Sequence, residues 1–164
     1  ETNLREAAEA LLRERGTALS EIRAREIRGG ARDARALELR VTRYATSTGD
    51  ELFIEAVTPA DCIAGFARLT LPSASAAAAA PIDELRGAAL LREVHVYGAV
   101  AGFGEHAPNK SQHSGLGARL VQHAAACARD AGFPTLAVIS AVGTRTWYRR
   151  QGFADGELYQ HLAL

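Results

Sequence analysis

Gln112-His113-Ser114-Gly115-Leu116-Gly117, followed by Ala118-Arg119-Leu120-Val121, decides how this chain is organised. The stretch reads as a turn that feeds straight into a helix, and Gln112, Gly115 and Gly117 fit the pattern Q-x-x-G-x-G. Two glycines let backbone approach a bulky anion. The helix that follows aims its unpaired N–H groups and the positive end of its dipole at whatever lies in front of it. A pyrophosphate suits such a seat. Taken alone, the pattern serves a plain tight loop equally well, so the flanking residues must decide.

Upstream, Leu90 to Tyr97 is strand-like and apolar enough to lie centrally, and Gly98 to Ser111 is a glycine-bearing loop. Downstream, Leu116, Leu120, Val121, Ala124, Cys127 and Ala128 form one stripe of a helix that runs to about Asp130 and ends at Gly132. A short strand (Thr135 to Ile139), a turn (Ser140 to Thr144), a short helix (Thr144 to Arg150, stopped by Gly152) and a last strand from Phe153 to the end follow. Before the central strand, Leu4, Ala7, Ala8, Leu11 and Leu12 predict an amphipathic helix ended by Gly16. Leu37 to Tyr44 alternates strictly and predicts a half-buried strand; Glu51 to Val57 and Cys62 to Leu71 complete an antiparallel meander. The Ser/Ala-rich stretch from Pro72 to Pro81 reads as a surface excursion of poor order, a flexible insert over 72–82, although alanine itself favours helix. Strands followed by an alternating strand–helix half predict an α/β sheet of mixed direction.

At 164 residues the chain is expected to be a single domain (1–164), with a helix and Arg-rich segment over 1–35 and a core over 36–164. Its formal net charge is zero, so global charge names no partner, but Ile22 to Arg43 carries seven arginines against three acids. Such a stripe can hold phosphates or simply form a solvated face. Cys62 and Cys127 sit in separate apolar stretches, which predicts buried free thiols in a reducing compartment and no metal site or disulfide framework. No apolar run approaches the roughly 18 residues of a membrane span, and no signal peptide is visible, so a cytoplasmic location is expected. The first residue is Glu, which suggests an excised or trimmed domain.

Four blocks carry a resemblance: Leu91-Arg92-Glu93-Val94-His95-Val96-Tyr97-Gly98; Gln112 to Gly117; Ala137-Val138-Ile139-Ser140-Ala141-Val142-Gly143-Thr144-Arg145; and Tyr148-Arg149-Arg150-Gln151-Gly152-Phe153. With Asn3-Leu4-Arg5-Glu6 and Ile22 to Ile27 near the start, they resemble the GNAT acetyltransferase domain of the Elongator catalytic subunit family, which acts on the wobble uridine of tRNA. The sequence departs from that family's pattern at Ser111, Ser114 and Leu116, at Ala141, and at Trp147, which replaces the first of two tyrosines. The family's radical S-adenosylmethionine domain, a possible partner on another chain, is not in this sequence.

The resemblance implies a mixed, mostly antiparallel sheet with a central splayed parallel strand pair flanked by helices. It implies acetyl-CoA as cofactor, its pantetheine arm along Glu93, Val94, His95 and Val96 and its pyrophosphate on the amides of Gln112, Ser114, Gly115, Leu116, Gly117 and Ala118. Tyr148 would lie beside the thioester sulfur and protonate the departing thiolate. Glu93 and His95 share one strand face, which suits either a proton relay or a hydrogen-bonded pair satisfied within the sheet. Arg23, Arg25, Arg28 and Arg32, with Lys110, Arg149 and Arg150, are the expected tRNA contacts; surface solvation is the alternative for each. Two other functions stay open: an amine acetyltransferase using Glu51, Glu55 or Glu105, and a non-catalytic tRNA- or CoA-binding module.

Overall fold

The computed structural model describes residues 3–17, 19–27, 36–97 and 115–164. The chain runs through α1 (Leu4–Glu14), β1 (Glu38–Thr46), β2 (Gly49–Val57), β3 (Ile63–Pro72), α2 (Ala74–Ala78), β4 (Ala89–Val96), α3 (Leu116–Asp130), β5 (Thr135–Val138), α4 (Arg145–Arg150), β6 (Ala154–Asp155) and β7 (Gln160–Ala163). The seven strands form one sheet in the order β1-β2-β3-β4-β5-β7-β6. Every neighbouring pair is antiparallel except β4 with β5. This is the α/β sheet of mixed direction that the sequence predicts, with the central parallel pair that the resemblance implies.

The parallel pair is short. Only Ala89, Leu90 and Leu91 of β4 face partners on β5, namely Leu136, Ala137 and Val138. Where that pairing stops, the β3–β4 register slips: Leu69 opposes Leu91 and Arg68 opposes Glu93, so Arg92 is an extra residue on β4. Such a bulge bends its strand and puts two successive side chains on one face. Arg92 and Glu93 accordingly both reach the same side, to Glu51 (3.2 Å) and Arg68 (3.0 Å). From Arg92 to Val96 the side of β4 facing β5 has no partner strand among the described residues.

One sheet face packs under α3. Leu116, Leu120, Val121, Ala124, Ala125 and Ala128 are buried against Leu52, Ile54, Leu69 and Leu91. Truncating a side chain as buried as Leu120 costs about 2–5 kcal/mol in lost transfer energy and cavity. The opposite face of β1–β4 carries charge instead. Glu55 accepts both forks of Arg25 (3.0 and 3.2 Å), and Asp61 and Arg40 complete the cluster. Glu51 is 3% exposed and is shared among Tyr44, Arg68 and Arg92.

Several local expectations change. β1 is an edge strand with almost every residue exposed, not half-buried, because it has β2 on one side only. α1 forms as predicted with Asn3 as its N-cap, yet none of its residues is buried and Leu4 is 83% exposed. The alanine run, expected as an excursion of poor order, follows its helix propensity in α2, capped by the Ser73 hydroxyl. The final strand is broken in two: the Glu84 carboxylate accepts the N–H groups of Glu157, Leu158 and Tyr159 and closes a turn between β6 and β7. Cys62 and Cys127 are free but half-buried rather than buried, and burial pushes the Cys127 thiol pKa up.

Burial alone would raise the pKa of Glu51, but the Tyr44 hydroxyl and the Arg68 and Arg92 guanidiniums outweigh it and hold the carboxyl below its ordinary value of 4.5. A depressed folded-state pKa stabilises the fold fully above the unfolded value and loses that contribution as pH falls. Glu51→Gln is therefore expected to cost about 1–3 kcal/mol at neutral pH and to flatten the loss of stability below pH 4.5, as read by urea unfolding across pH.

Candidate functional site

The splay between β4 and β5 opens a cleft of about 710 Å³. One wall is the bare edge of β4 from Arg92 to Val96. The other is the segment Val138 to Ala141 that leaves β5, and Gly115, Gly117, Ala118, Trp147 and Tyr148 close the end. The predicted strand, turn and aromatic thus converge on one cavity. Gln112 and Ser114 lie outside the described residues. Leu116 is 1% exposed and sends its side chain into the core, so only its backbone is free to serve the cleft.

The start of α3 explains why two glycines stand there. Gly115 is the N-cap with φ +74°, a left-handed conformation that other residues adopt at a cost, and no side chain caps it. Among the described residues no side chain takes the first amides of α3, which suit an anion favoured by the helix dipole by about 0.3–2 kcal/mol. Gly117 lies where α3, α4 and β4 meet: a Cβ there would make ordinary contacts with Trp147 Cζ2 at 3.4 Å and Val96 Cγ2 at 3.8 Å.

Tyr148 is 8% exposed, held edge-on by Trp147 (centroids 4.9 Å apart) and Phe153 (5.3 Å). Burial raises its pKa, so the phenol stays protonated at neutral pH and is a donor. Glu93 and His95 do meet, at 2.9 Å, and the carboxylate is also anchored by Arg68 while the imidazole stacks on Phe66 at 4.8 Å. Both project from the charged face of β4, whereas Tyr148 belongs to the cluster on the α3 side with Val94 and Val96. The pair and the phenol thus border the cleft from opposite faces of the sheet.

The arginines divide. Arg28, Arg32 and Lys110 lie outside the described residues. Arg25, expected on the RNA face, is committed to Glu55 and Asp61, and Arg149 is clasped by Asp155 through three contacts of 2.6–3.2 Å. Arg23 and Arg150 are exposed. Of the acids of the amine-acetyltransferase alternative, Glu51 and Glu55 are held in ion pairs away from solvent, and Glu105 lies outside the described residues. Among the described residues, no three His, Cys, Asp or Glu side chains gather as metal ligands, and no helix is long and apolar enough to cross a membrane.

No protein-family model matches the chain. Curated relatives do. Elongator complex protein 3 of Danio rerio is 37% identical over 160 residues, 92% of this chain. The chain is homologous to Elongator complex protein 3. A tRNA uridine(34) acetyltransferase of Dehalococcoides mccartyi is 37% identical over 129 residues, 76% of this chain. The chain spans 28% of the length of both relatives. The solved structure of archaeal Methanocaldococcus infernus Elp3 with an N-terminal deletion superposes with a TM-score of 0.78 at 25% identity, covering 100% of this chain and 40% of the archaeal one.

Sequence reasoning missed the residues that hold the cleft's far wall. Gln160 is fully buried and bridges Ser140, Arg145 and Asp155. No sequence signal marks it, since it sits within an ordinary alternating segment. The bulge at Arg92 did leave a signal: Arg92-Glu93 breaks the alternation of the strand with two polar residues in succession. Gly115→Ala is expected to lower stability by about 1–2 kcal/mol through its left-handed backbone alone, because a Cβ there meets nothing within 4 Å. Gly117→Ala, with ordinary contacts to Trp147, is expected to leave the urea midpoint nearly unchanged while altering Trp147 fluorescence.

Proposed function

We propose that this chain is an acetyltransferase domain of the Elongator type, which binds acetyl-CoA in the β4–β5 cleft and directs its acetyl group toward the wobble uridine of tRNA. The observation that carries the reading is the convergence of a bare strand edge, an uncapped helix start and a buried, protonated tyrosine on one cavity. These features fit the ligand part by part. The N–H groups at the start of α3 suit a pyrophosphate. The unpaired backbone of β4 suits the amide-bearing pantetheine arm, which adds to an open edge as a strand would. A β4 amide near the thioester carbonyl would stabilise the developing oxyanion. In the hydrolysis, water adds to the thioester carbonyl carbon, the C–S bond breaks as the C=O re-forms, the departing CoA thiolate takes the phenolic proton of Tyr148, and the proton lost by the attacking water restores the phenol. Glu93 and His95 are the proposed relay on the other side of β4, with Arg68 fixing the carboxylate.

Arg23 and Arg150, with Arg28, Arg32 and Lys110, are the proposed phosphate contacts for tRNA. A radical S-adenosylmethionine domain is the proposed partner that activates the uridine, so this chain alone hydrolyses acetyl-CoA in the presence of tRNA and does not form the carbon–carbon bond. The proposed setting is the cytoplasm.

Isothermal titration with acetyl-CoA should give a saturable heat, and tRNA should stimulate CoA release. Tyr148→Phe should slow that release by about a hundredfold or more with acetyl-CoA affinity kept. No binding at millimolar ligand, or unchanged release by Tyr148→Phe, contradicts the reading. For the RNA face, Arg23→Ala should reduce the slope of log K against log salt by about one. Arg25→Ala should lower thermal stability instead, because its guanidinium holds Glu55 and Asp61.

A further inference from the structure

α4 is six residues long, too short to hold itself, and it carries both aromatics of the cleft. It is fixed at two points on either side of Tyr148, and one buried side chain organises both. Gln160, on β7, is fully buried with both ends of its amide hydrogen-bonded. Its NH2 group donates to the Arg145 carbonyl (3.2 Å) and to Asp155 Oδ1 (2.8 Å), and its Oε1 accepts the Ser140 hydroxyl (2.7 Å). Two acceptors at one end and a hydroxyl at the other leave a single sensible amide orientation. Asp155 in turn clasps Arg149. Arg145 opens α4, Arg149 follows Tyr148, and Ser140 lies on the cleft wall that leaves β5.

We propose that Gln160 is a positioning residue: it locks the Ser140 wall and both ends of α4 into one register, and so sets where the Tyr148 hydroxyl stands in the cleft. The proposal rests on the reading of Tyr148 as the proton donor. The chemistry of the site gives it content. A carboxylate at position 160 would face the Asp155 carboxylate and the Arg145 carbonyl, three acceptors with no proton among them, whereas an apolar side chain would remove the donors to the Arg145 carbonyl and Asp155 and the acceptor of the Ser140 hydroxyl. The α3 amides are a separate element and do not depend on this amide, so the clamp should govern the chemical step more than cofactor affinity.

The test uses Trp147, the only tryptophan of the chain and the residue before Tyr148. Gln160→Glu should red-shift its emission and raise its quenching by acrylamide in the ligand-free protein. It should also slow tRNA-stimulated CoA release about ten- to a hundredfold, as expected for a misplaced catalytic group, while acetyl-CoA affinity changes less than about threefold. Adding Asp155→Asn, whose NH2 can donate to the new carboxylate, should restore the emission and the rate in part, because the Arg145 carbonyl still lacks its donor. A general folding defect would give no such rescue. Should Gln160→Glu not fold, Ser140→Ala, which removes only the wall-side bond, should give the same pattern in smaller measure. Unchanged emission and rate in folded Gln160→Glu, or a lowered rate without rescue, overturns the clamp. If the wild-type chain releases no CoA, the functional reading fails, and emission with its rescue then judges the clamp alone.

Discussion

The extra residue at Arg92 is the constraint on which the rest depends. By inserting one residue into β4 opposite Arg68 and Leu69, it turns the strand where its parallel pairing with β5 ends. A straight β4 would continue the ladder and close the sheet; the bent one leaves a backbone edge and a cleft. The bulge is held by ions. It places Arg92 and Glu93 on one face, where Glu51 and Arg68 receive them. The charged face of the sheet is thus the support of the opening on its edge, which explains why a carboxylate as buried as Glu51 is tolerated: its partners answer its charge on three sides.

The other side of the sheet supplies position. α3 is sunk into the core by its aliphatic stripe, so its N-terminus is a fixed point, and Gly115 and Gly117 keep that point bare. α4 has no such stripe. It relies on Tyr148 and Phe153 packing beneath it and on the Ser140–Gln160–Asp155–Arg149 chain at its ends. The end of the cleft is therefore closed by one element sunk in the core and one pinned at its ends, with Tyr148 on the pinned one.

Much of this was legible in the sequence because it is written in periodicity and in glycine. The stripe of α3, the alternation of the meander and the stop at Gly132 predict the elements they form. The four motif blocks point to the residues that converge: Glu93 to Val96, Gly115 to Ala118 and Tyr148. What was not legible depends on partners distant in the chain. Nothing near Arg25 says that Glu55 and Asp61 will take its guanidinium, and nothing near Gly156 says that Glu84 will cap the turn that splits the last strand. Alternation in β1 does not reveal that the strand lies at an edge. Gln160 looks like any polar residue of a strand until Ser140 and Arg145 are folded against it.

The central claim is that the bare edge of β4 and the start of α3 together receive one acetyl-CoA molecule. A crystal structure of the chain grown with acetyl-CoA tests it most directly. The account predicts pantetheine amides hydrogen-bonded to β4 between Arg92 and Val96, pyrophosphate oxygens on the first amides of α3, and the thioester sulfur within hydrogen-bond reach of the Tyr148 hydroxyl. A ligand bound elsewhere, or one that occupies the cleft with its pyrophosphate away from Gly115 to Ala118, would contradict it.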